Sequence, residues 1–166
     1  MRKQEIKKFN KTLSKNKLTI ICAESITAGM LASTIASIPG ASSILKGSIV
    51  TYDRELKSAV LKVNPATIDK HSAESLETTI EMVYGLMKLY PSSDLYVAVT
   101  GIASPGTEKY PVIGEVGDIF VAVYYKHLKP EFRLQTYSTR IASSERNKIR
   151  EEAVRFIFAK VSELVS

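Results

Sequence analysis

The 166-residue chain has no tryptophan, one cysteine and two histidines. A single cysteine excludes an internal disulfide framework, and the Cys–His spacing of a zinc site is absent. No apolar run approaches the ~18 residues that a membrane-spanning helix requires. The opening Met-Arg-Lys-Gln-Glu-Ile-Lys-Lys is charged, with no apolar stretch behind it. That is not a signal-peptide pattern, so the expected location is cytoplasmic. Repeats, low-complexity tracts and long linkers are missing too, and residues 1–166 read as a single domain. What is present is the composition of a folded globular chain: 45% hydrophobic and 24% charged residues exclude disorder.

The net charge of +6 is confined to one segment. Residues 1–17 hold seven lysines and arginines against Glu5 alone, whereas residues 18–166 hold sixteen groups of each sign. Ile6, Phe9 and Leu13 recur there at helical spacing, which predicts an amphipathic helix with a basic outer face. Such a face is either a solvated surface or a nucleic-acid patch. No aromatic interleaves its lysines to stack bases, which favours the solvated surface.

Residues 18–23 form an apolar, β-branched run that predicts a buried strand, followed by a polar turn over residues 24–29. Helical spacing through Met30, Leu31, Thr34 and Ile35 stops at Pro39-Gly40. A second strand is predicted over residues 46–52, then a helix capped by Asp53 and running to about residue 62. Ser75 caps another, with Ile80, Val83 and Met87 on its inner face. Residues 95–99 read as a strand and 100–113 as a Gly/Pro-rich loop. Residues 116–125 and 132–139 read as adjacent strands. A final helix starts near residues 143–144, with Ile149, Ala153, Phe156, Ile157, Val161 and Leu164 on one stripe. The order α-β-α-β-α-α-β-β-β-α argues an α/β fold, a three-layer α/β/α sandwich on a mixed sheet.

Ligands of open α/β sheets bind beyond the carboxyl ends of the strands. Three such ends carry polar chemistry here: Glu24-Ser25, Tyr52 and Thr100-Gly101. Ser25, between a strand and a helix start, suits a nucleophile or an anion ligand, or else Ser25 or Thr27 caps the helix. The Gly-x-Ser-x-Gly elbow is absent. Neither His71 nor His127 has an evident orienting partner as a base for Ser25. A lysine serves as base if burial or a nearby cation holds it neutral. Lys57, five residues after Tyr52, is either that base or a surface charge.

Five blocks stand in order: Ala-Glu-Ser-x-Thr-x-Gly at residues 23–29, Pro-Gly-Ala-Ser-Ser at 39–43, Gly-x-x-Val-Thr-Tyr-x-x-Glu-x-Lys at 47–57, Thr-Gly-Ile-Ala-x-Pro-Gly at 100–106 and Glu-Arg-x-x-Ile-Arg at 145–150. Together they resemble the CinA C-terminal domain family over nearly the whole chain. Characterised members of that family hydrolyse nicotinamide mononucleotide to nicotinate mononucleotide and ammonia. The resemblance implies Ser25 as nucleophile with Lys57 and Tyr52 as its proton-handling partners. It implies substrate contacts from Thr27, Gly29, Gly47, Thr100, Gly101 and Arg146, with the Arg146 guanidinium on phosphate. Backbone amides over residues 27–29 or in the Gly101 loop are candidates for the oxyanion or the phosphate. Arg54 or Arg146 is a candidate cation to lower the Lys57 pKa.

The chain departs from the family pattern at Ala28, Asp53-Arg54, Ser104, Glu74 and Ser144, several of which replace glycines. The expectation is therefore a nucleotide amidohydrolase that needs no metal or cofactor, with a small-molecule nucleotide substrate. It forms a homo-oligomer and has no membrane or nucleic-acid partner. Two rival readings are a nucleotide-binding or regulatory module with a drifted pocket, and a nucleic-acid-associated module using the basic N-terminal helix.

Overall fold

The structure, a computed structural model, describes residues 2–166. Five strands form one sheet in the order β2-β1-β3-β4-β5. They are β1 (Ile20–Glu24), β2 (Leu45–Val50), β3 (Leu95–Gly101), β4 (Asp118–Tyr125) and β5 (Leu134–Arg140). The first three run parallel, and β4 and β5 add antiparallel to β3. The helices are α1 (Lys3–Lys15), α2 (Met30–Ala36), α3 (Arg54–Leu61), α4 (Pro65–His71), α5 (Leu76–Leu89) and α6 (Arg146–Leu164).

Strand alternation sorts the core into two layers. Cys22, Val97, Val99, Val121 and Val123 face Phe9, Leu13, Leu31, Ile35, Ile157 and Val161, so α1, α2 and α6 cover one side. Ile21, Ala23, Tyr96, Ala98 and Ala122 face Leu61, Ile68, Met82, Val83 and Leu86, so α3, α4 and α5 cover the other. Because β1 and β3 are covered on both faces, every one of their residues is buried. This is why both read as unbroken apolar runs. The expected α/β/α sandwich on a mixed sheet is the observed one.

In α1, Ile6, Phe9 and Leu13 are buried, and Phe9 stacks on Phe158 with ring centroids 3.8 Å apart. All seven basic residues of this segment are exposed. Its only aromatic, Phe9, is therefore committed to the core.

Three expectations need correction. A helix over Pro65–His71 was not expected; Asn64 caps it, accepting from the Ala66 amide at 3.0 Å, and Pro65 opens it. On α5 the fully buried residues include Thr78, Thr79, Met82, Val83 and Leu86, while Ile80 and Met87 are only half-buried. The reason is the close crossing of α3: a Cβ on Gly85 would lie 1.8 Å from the Leu61 carbonyl oxygen, so the helix presents its Gly85 side inward. The last helix begins at Arg146 rather than near residues 143–144.

Candidate active site

The site is built at the carboxyl rim of the parallel strands. Glu24 closes β1, and its carbonyl accepts from Thr51 N at 2.9 Å, tying the rim to the segment after β2. The next amide, Ser25 N, donates to Val99 O at 3.0 Å on β3. Ser25 is thus fixed between both neighbours and is only 5% exposed.

The chain then enters α2 through a left-handed pair, Ala28 at φ 47° and Gly29 at φ 92°. Glycine tolerates that region, whereas alanine is strained there by about 1 kcal/mol. Ala28→Gly is accordingly expected to raise the melting midpoint by about 2–4 °C. A lower midpoint in thermal unfolding would show that the exposed Ala28 methyl makes a stabilising contact that outweighs its strain.

Neither Ser25 nor Thr27 caps α2; the fully buried Glu24 does. Its Oε2 accepts from the amides of Gly29 at 2.9 Å and Leu31 at 3.0 Å, and its Oε1 from Ala32 N at 3.0 Å and Ser48 Oγ at 2.8 Å. A carboxylate at the positive end of a helix, with four donors, needs no cation to be held. Its effect on the site is twofold. It locks the turn that carries Ser25, and it occupies the Gly29 amide, which therefore cannot hold an oxyanion or a phosphate. The amides of Ile26 and Thr27, directly after Ser25, have no acceptor among the described residues.

Lys57 comes from the opposite side of the sheet. Asp53 Oδ1 caps α3 by accepting from Glu55 N and Leu56 N, which sets Lys57 on the first turn. The Lys57 side chain is 0% exposed. Its Nζ lies 3.0 Å from Ser25 Oγ, 2.8 Å from Thr51 O and 3.4 Å from Tyr52 O. All three partners are neutral, so nothing in direct contact offsets the lost hydration of an ammonium. Burial pushes the Lys57 pKa down to about 8, against the opposing pull of Glu74 and Asp53. Neither candidate cation is among the causes of this shift: Arg54 is paired with Asp69 at 2.5 Å, and Arg146 is bonded to Tyr52 and Ser104.

Arg146 opens α6 and reaches across the rim. Its Nη2 donates to the Tyr52 hydroxyl at 2.5 Å and its Nη1 to Ser104 Oγ at 2.7 Å. Tyr52 is 54% exposed, and its phenol is bonded to Arg146 rather than to Ser25 or Lys57. It reaches Lys57 only through its carbonyl. Ser104 stands beside the Pro105 rim of a cleft of about 480 Å³, lined also by Ile102, Gly106, Thr107 and Val112.

The other expected residues divide. Thr27 and Gly29 lie in the turn, but the Thr27 carbonyl is taken by Met30 N and by Arg150. Thr100 is fully buried and its hydroxyl sits 2.8 Å from that of Thr79, which in turn donates to Ser75 O at 2.6 Å. Thr100 thus anchors α5 to β3. Gly101 serves close packing, because a Cβ there would lie 2.5 Å from Asp118 O. Gly47 is not at the rim: it pairs with Ile21 at a bulge, three positions before β2 ends. The histidines do have carboxylate neighbours, His71 with Glu77 and His127 with Asp94, but neither is bonded to Ser25. Asp94 adjoins the amino end of β3, the rim opposite Ser25. Among the described residues no group of His, Cys, Asp and Glu is placed to hold a metal ion.

Fold and site together define an α/β protein with a buried serine–lysine pair at the carboxyl edge of a mixed sheet. The family model of the CinA C-terminal domain matches residues 3–165. The chain belongs to that family. It is 43% identical over 157 residues to a CinA-like protein of Petrotoga mobilis, covering 92% of this chain and 36% of that protein. The chain thus spans about a third of the length of that relative. Protein MG115 homolog of Mycoplasma pneumoniae is 35% identical over 154 residues, covering 93% of this chain and 92% of that protein. Among solved structures, a CinA superfamily protein of Klebsiella pneumoniae superposes with a TM-score of 0.84 at 26% identity, covering 98% of this chain and 96% of that one.

Two residues that shape the site were given no role by the sequence reading. Glu24 stands in the Ala-Glu-Ser block, and its signal was an acid followed closely by a helix start. Ser104 was noted only as a departure from glycine. Its hydroxyl on Arg146 is a contact that a glycine cannot make.

Proposed function

We propose that the chain is an amidohydrolase that converts nicotinamide mononucleotide to nicotinate mononucleotide and ammonia. The observation that carries this reading is the buried Lys57 Nζ 3.0 Å from Ser25 Oγ, with a pKa of about 8. A neutral amine at that distance accepts the serine proton as Oγ attacks the carboxamide carbon. The carbonyl π pair moves onto oxygen. Collapse restores the carbonyl, breaks the C–N bond and delivers the proton from Lys57 to the departing ammonia. Water then attacks the acyl-serine, gives a proton to Lys57 and releases the acid, and the Lys57 proton returns to Ser25 Oγ. The Ile26 amide, next after the nucleophile, supports the oxyanion in this scheme.

Arg146 supports recognition of the phosphate. Its present partners, Tyr52 and Ser104, are neutral hydroxyls, so a dianionic phosphate displaces them at a gain in charge pairing. Arg146→Ala is expected to raise KM for the nucleotide by about 10- to 100-fold, the scale of one charge-assisted hydrogen bond. KM for the phosphate-free nucleoside should not change. Equal losses for both would remove Arg146 from the phosphate site.

The test is direct: purified protein is incubated with nicotinamide mononucleotide, and ammonia and the acid product are measured in equal amounts. The drifted-module reading draws on Ala28, Arg54 and Ser104, the first and last of which add atoms where the family has glycine. It predicts nucleotide binding without ammonia.

A further inference from the structure

Glu74 stands on the same rim as Ser25 and has no part in the scheme above. It lies just ahead of Ser75, the cap of α5. The Ser75 carbonyl accepts from Thr100 Oγ1 at 3.4 Å. Thr100 follows Val99, whose own carbonyl accepts from Ser25 N at 3.0 Å. The turn that carries Glu74 therefore flanks the nucleophile, on the face of the sheet that α3 and α5 share. Ser72 in this turn is held at φ 82°, ψ 160°, a region that only glycine enters freely. Its hydroxyl is committed to Glu74: Oγ accepts from Glu74 N at 3.0 Å and donates to Glu74 Oε2 at 3.2 Å. Glu74 is half-buried, and among the described residues no lysine, arginine or histidine pairs with it. Its charge nevertheless reaches the reacting groups. Of the two anions that pull against burial at Lys57, Glu74 acts more strongly than Asp53, which caps the helix of Lys57 itself.

We propose that Glu74 is a specificity-determining residue that selects a carboxamide whose ring carries a positive charge over an uncharged ring of the same shape. Lys57 Nζ lies 3.0 Å from Ser25 Oγ, so a charge held close to Ser25 falls in the same field of Glu74 as Lys57 does. The pyridinium of nicotinamide mononucleotide must lie there, because its ring is bonded directly to the carbon that Ser25 attacks. Glu74 also offsets the repulsion between that ring and Lys57 once Lys57 has taken the serine proton. With Arg146 for the phosphate, the rim then presents one group of each sign to a substrate that carries both. Glu74 is one of the departures from the family pattern, so this selection belongs to the chain's own residues. The inference rests on the proposed function for its substrate.

The experiment compares nicotinamide mononucleotide with its uncharged isostere, in which a benzamide ring joined through carbon replaces the pyridinium. Dissociation constants are measured by calorimetry in a Ser25→Ala background, so that neither ligand turns over. Glu74→Gln keeps the shape and the bond to Ser72 without the charge, and Glu74→Asp keeps the charge. Glu74→Gln should weaken the cationic nucleotide about 3- to 10-fold and the isostere by less than about twofold. Glu74→Asp should stay within about twofold of its parent for both ligands. With Ser25 intact, Glu74→Gln should also move the basic limb of kcat/KM to lower pH, since loss of an anion makes the Lys57 ammonium costlier. The other charges nearby are unchanged by the substitution: Asp53 ahead of α3, Glu24 under α2, Arg54 on Asp69, His71 beside Glu77, and Arg146 on Tyr52 and Ser104. Equal weakening of both ligands gives Glu74 a structural role alone and overturns the proposal. Unchanged binding of the cationic nucleotide by folded Glu74→Gln overturns it too, as does a limb that stays in place. If the wild type releases no ammonia but the charge preference is present and is lost in Glu74→Gln, the hydrolysis is refuted and the selection by Glu74 stands. If neither ligand binds, both fall.

Discussion

Ser25→Ala should leave a folded protein that releases no ammonia, with kcat lowered by about four orders of magnitude or more, the scale seen when a catalytic serine is removed. The fold should survive for a reason visible in the contacts. Ser25 does not cap α2, so the helix keeps all of its Glu24 bonds. Its backbone amide on Val99 is untouched by the change. What is lost is one hydrogen bond from Lys57, whose Nζ retains Thr51 O and Tyr52 O. That loss costs about 1 kcal/mol. Circular dichroism and thermal unfolding beside the ammonia assay check both halves. Near-normal turnover in folded Ser25→Ala would require a different nucleophile.

Lys57→Arg should be as inactive as Lys57→Met, each at least about 10³-fold below wild type, because a guanidinium stays protonated in proteins and cannot accept the serine proton. Arginine is the informative substitution because it keeps the charge. Methionine is the control for packing, being close to lysine in length and free of charge in a slot that is 0% exposed. Substantial activity in Lys57→Arg would mean that position 57 acts as a fixed cation and that water or another group is the base. The same burial has a thermodynamic side. The folded-state pKa of about 8 lies below the usual 10.5, so the folded protein binds fewer protons between these values than the unfolded chain. Below pH 8 the fold carries the whole cost of charging Lys57, roughly 3 kcal/mol, and the cost fades as pH rises toward 10.5. A lysine kept there at such expense of stability fits a catalytic role better than a structural one.

Much of the fold was legible because burial on two faces leaves a plain mark. Residues 18–23 and 95–99 are unbroken apolar runs, and β1 and β3 sit at the centre of the sheet. The α4 helix was missed because seven residues with one buried side chain, Ile68, make no periodic pattern, although Asn64-Pro65 was a readable start. The inner face of α5 was misread for a related reason: a glycine faces α3, so the inward stripe is marked by a missing side chain and by threonines. At the site, the strand ends pointed to Ser25 and Tyr52, and Lys57, five residues after Tyr52 and left open as base or surface charge, lies 3.0 Å from Ser25 Oγ. Burial was one of the two causes the sequence offered for the lysine's low pKa and is the one that acts; that its contacts are neutral acceptors, with no cation among the causes, was not legible. Nor was the Glu24 cap, because a carboxylate folding back onto amides five to eight residues ahead depends on the left-handed turn at Ala28 and Gly29.

The central claim is that neutral Lys57 takes the proton of Ser25. The pH dependence of kcat/KM for nicotinamide mononucleotide deamidation tests it most directly, because this quantity reports groups of the free enzyme. The substrate carboxamide does not titrate near neutrality, and the Lys57 pKa is about 8. Below that value most of the enzyme carries an ammonium with no lone pair for the proton. The account predicts that kcat/KM climbs about tenfold per pH unit below the limb and levels off above a midpoint near pH 8. A profile that is flat from pH 6 to 9, or one that falls as pH rises through about 8, would contradict it.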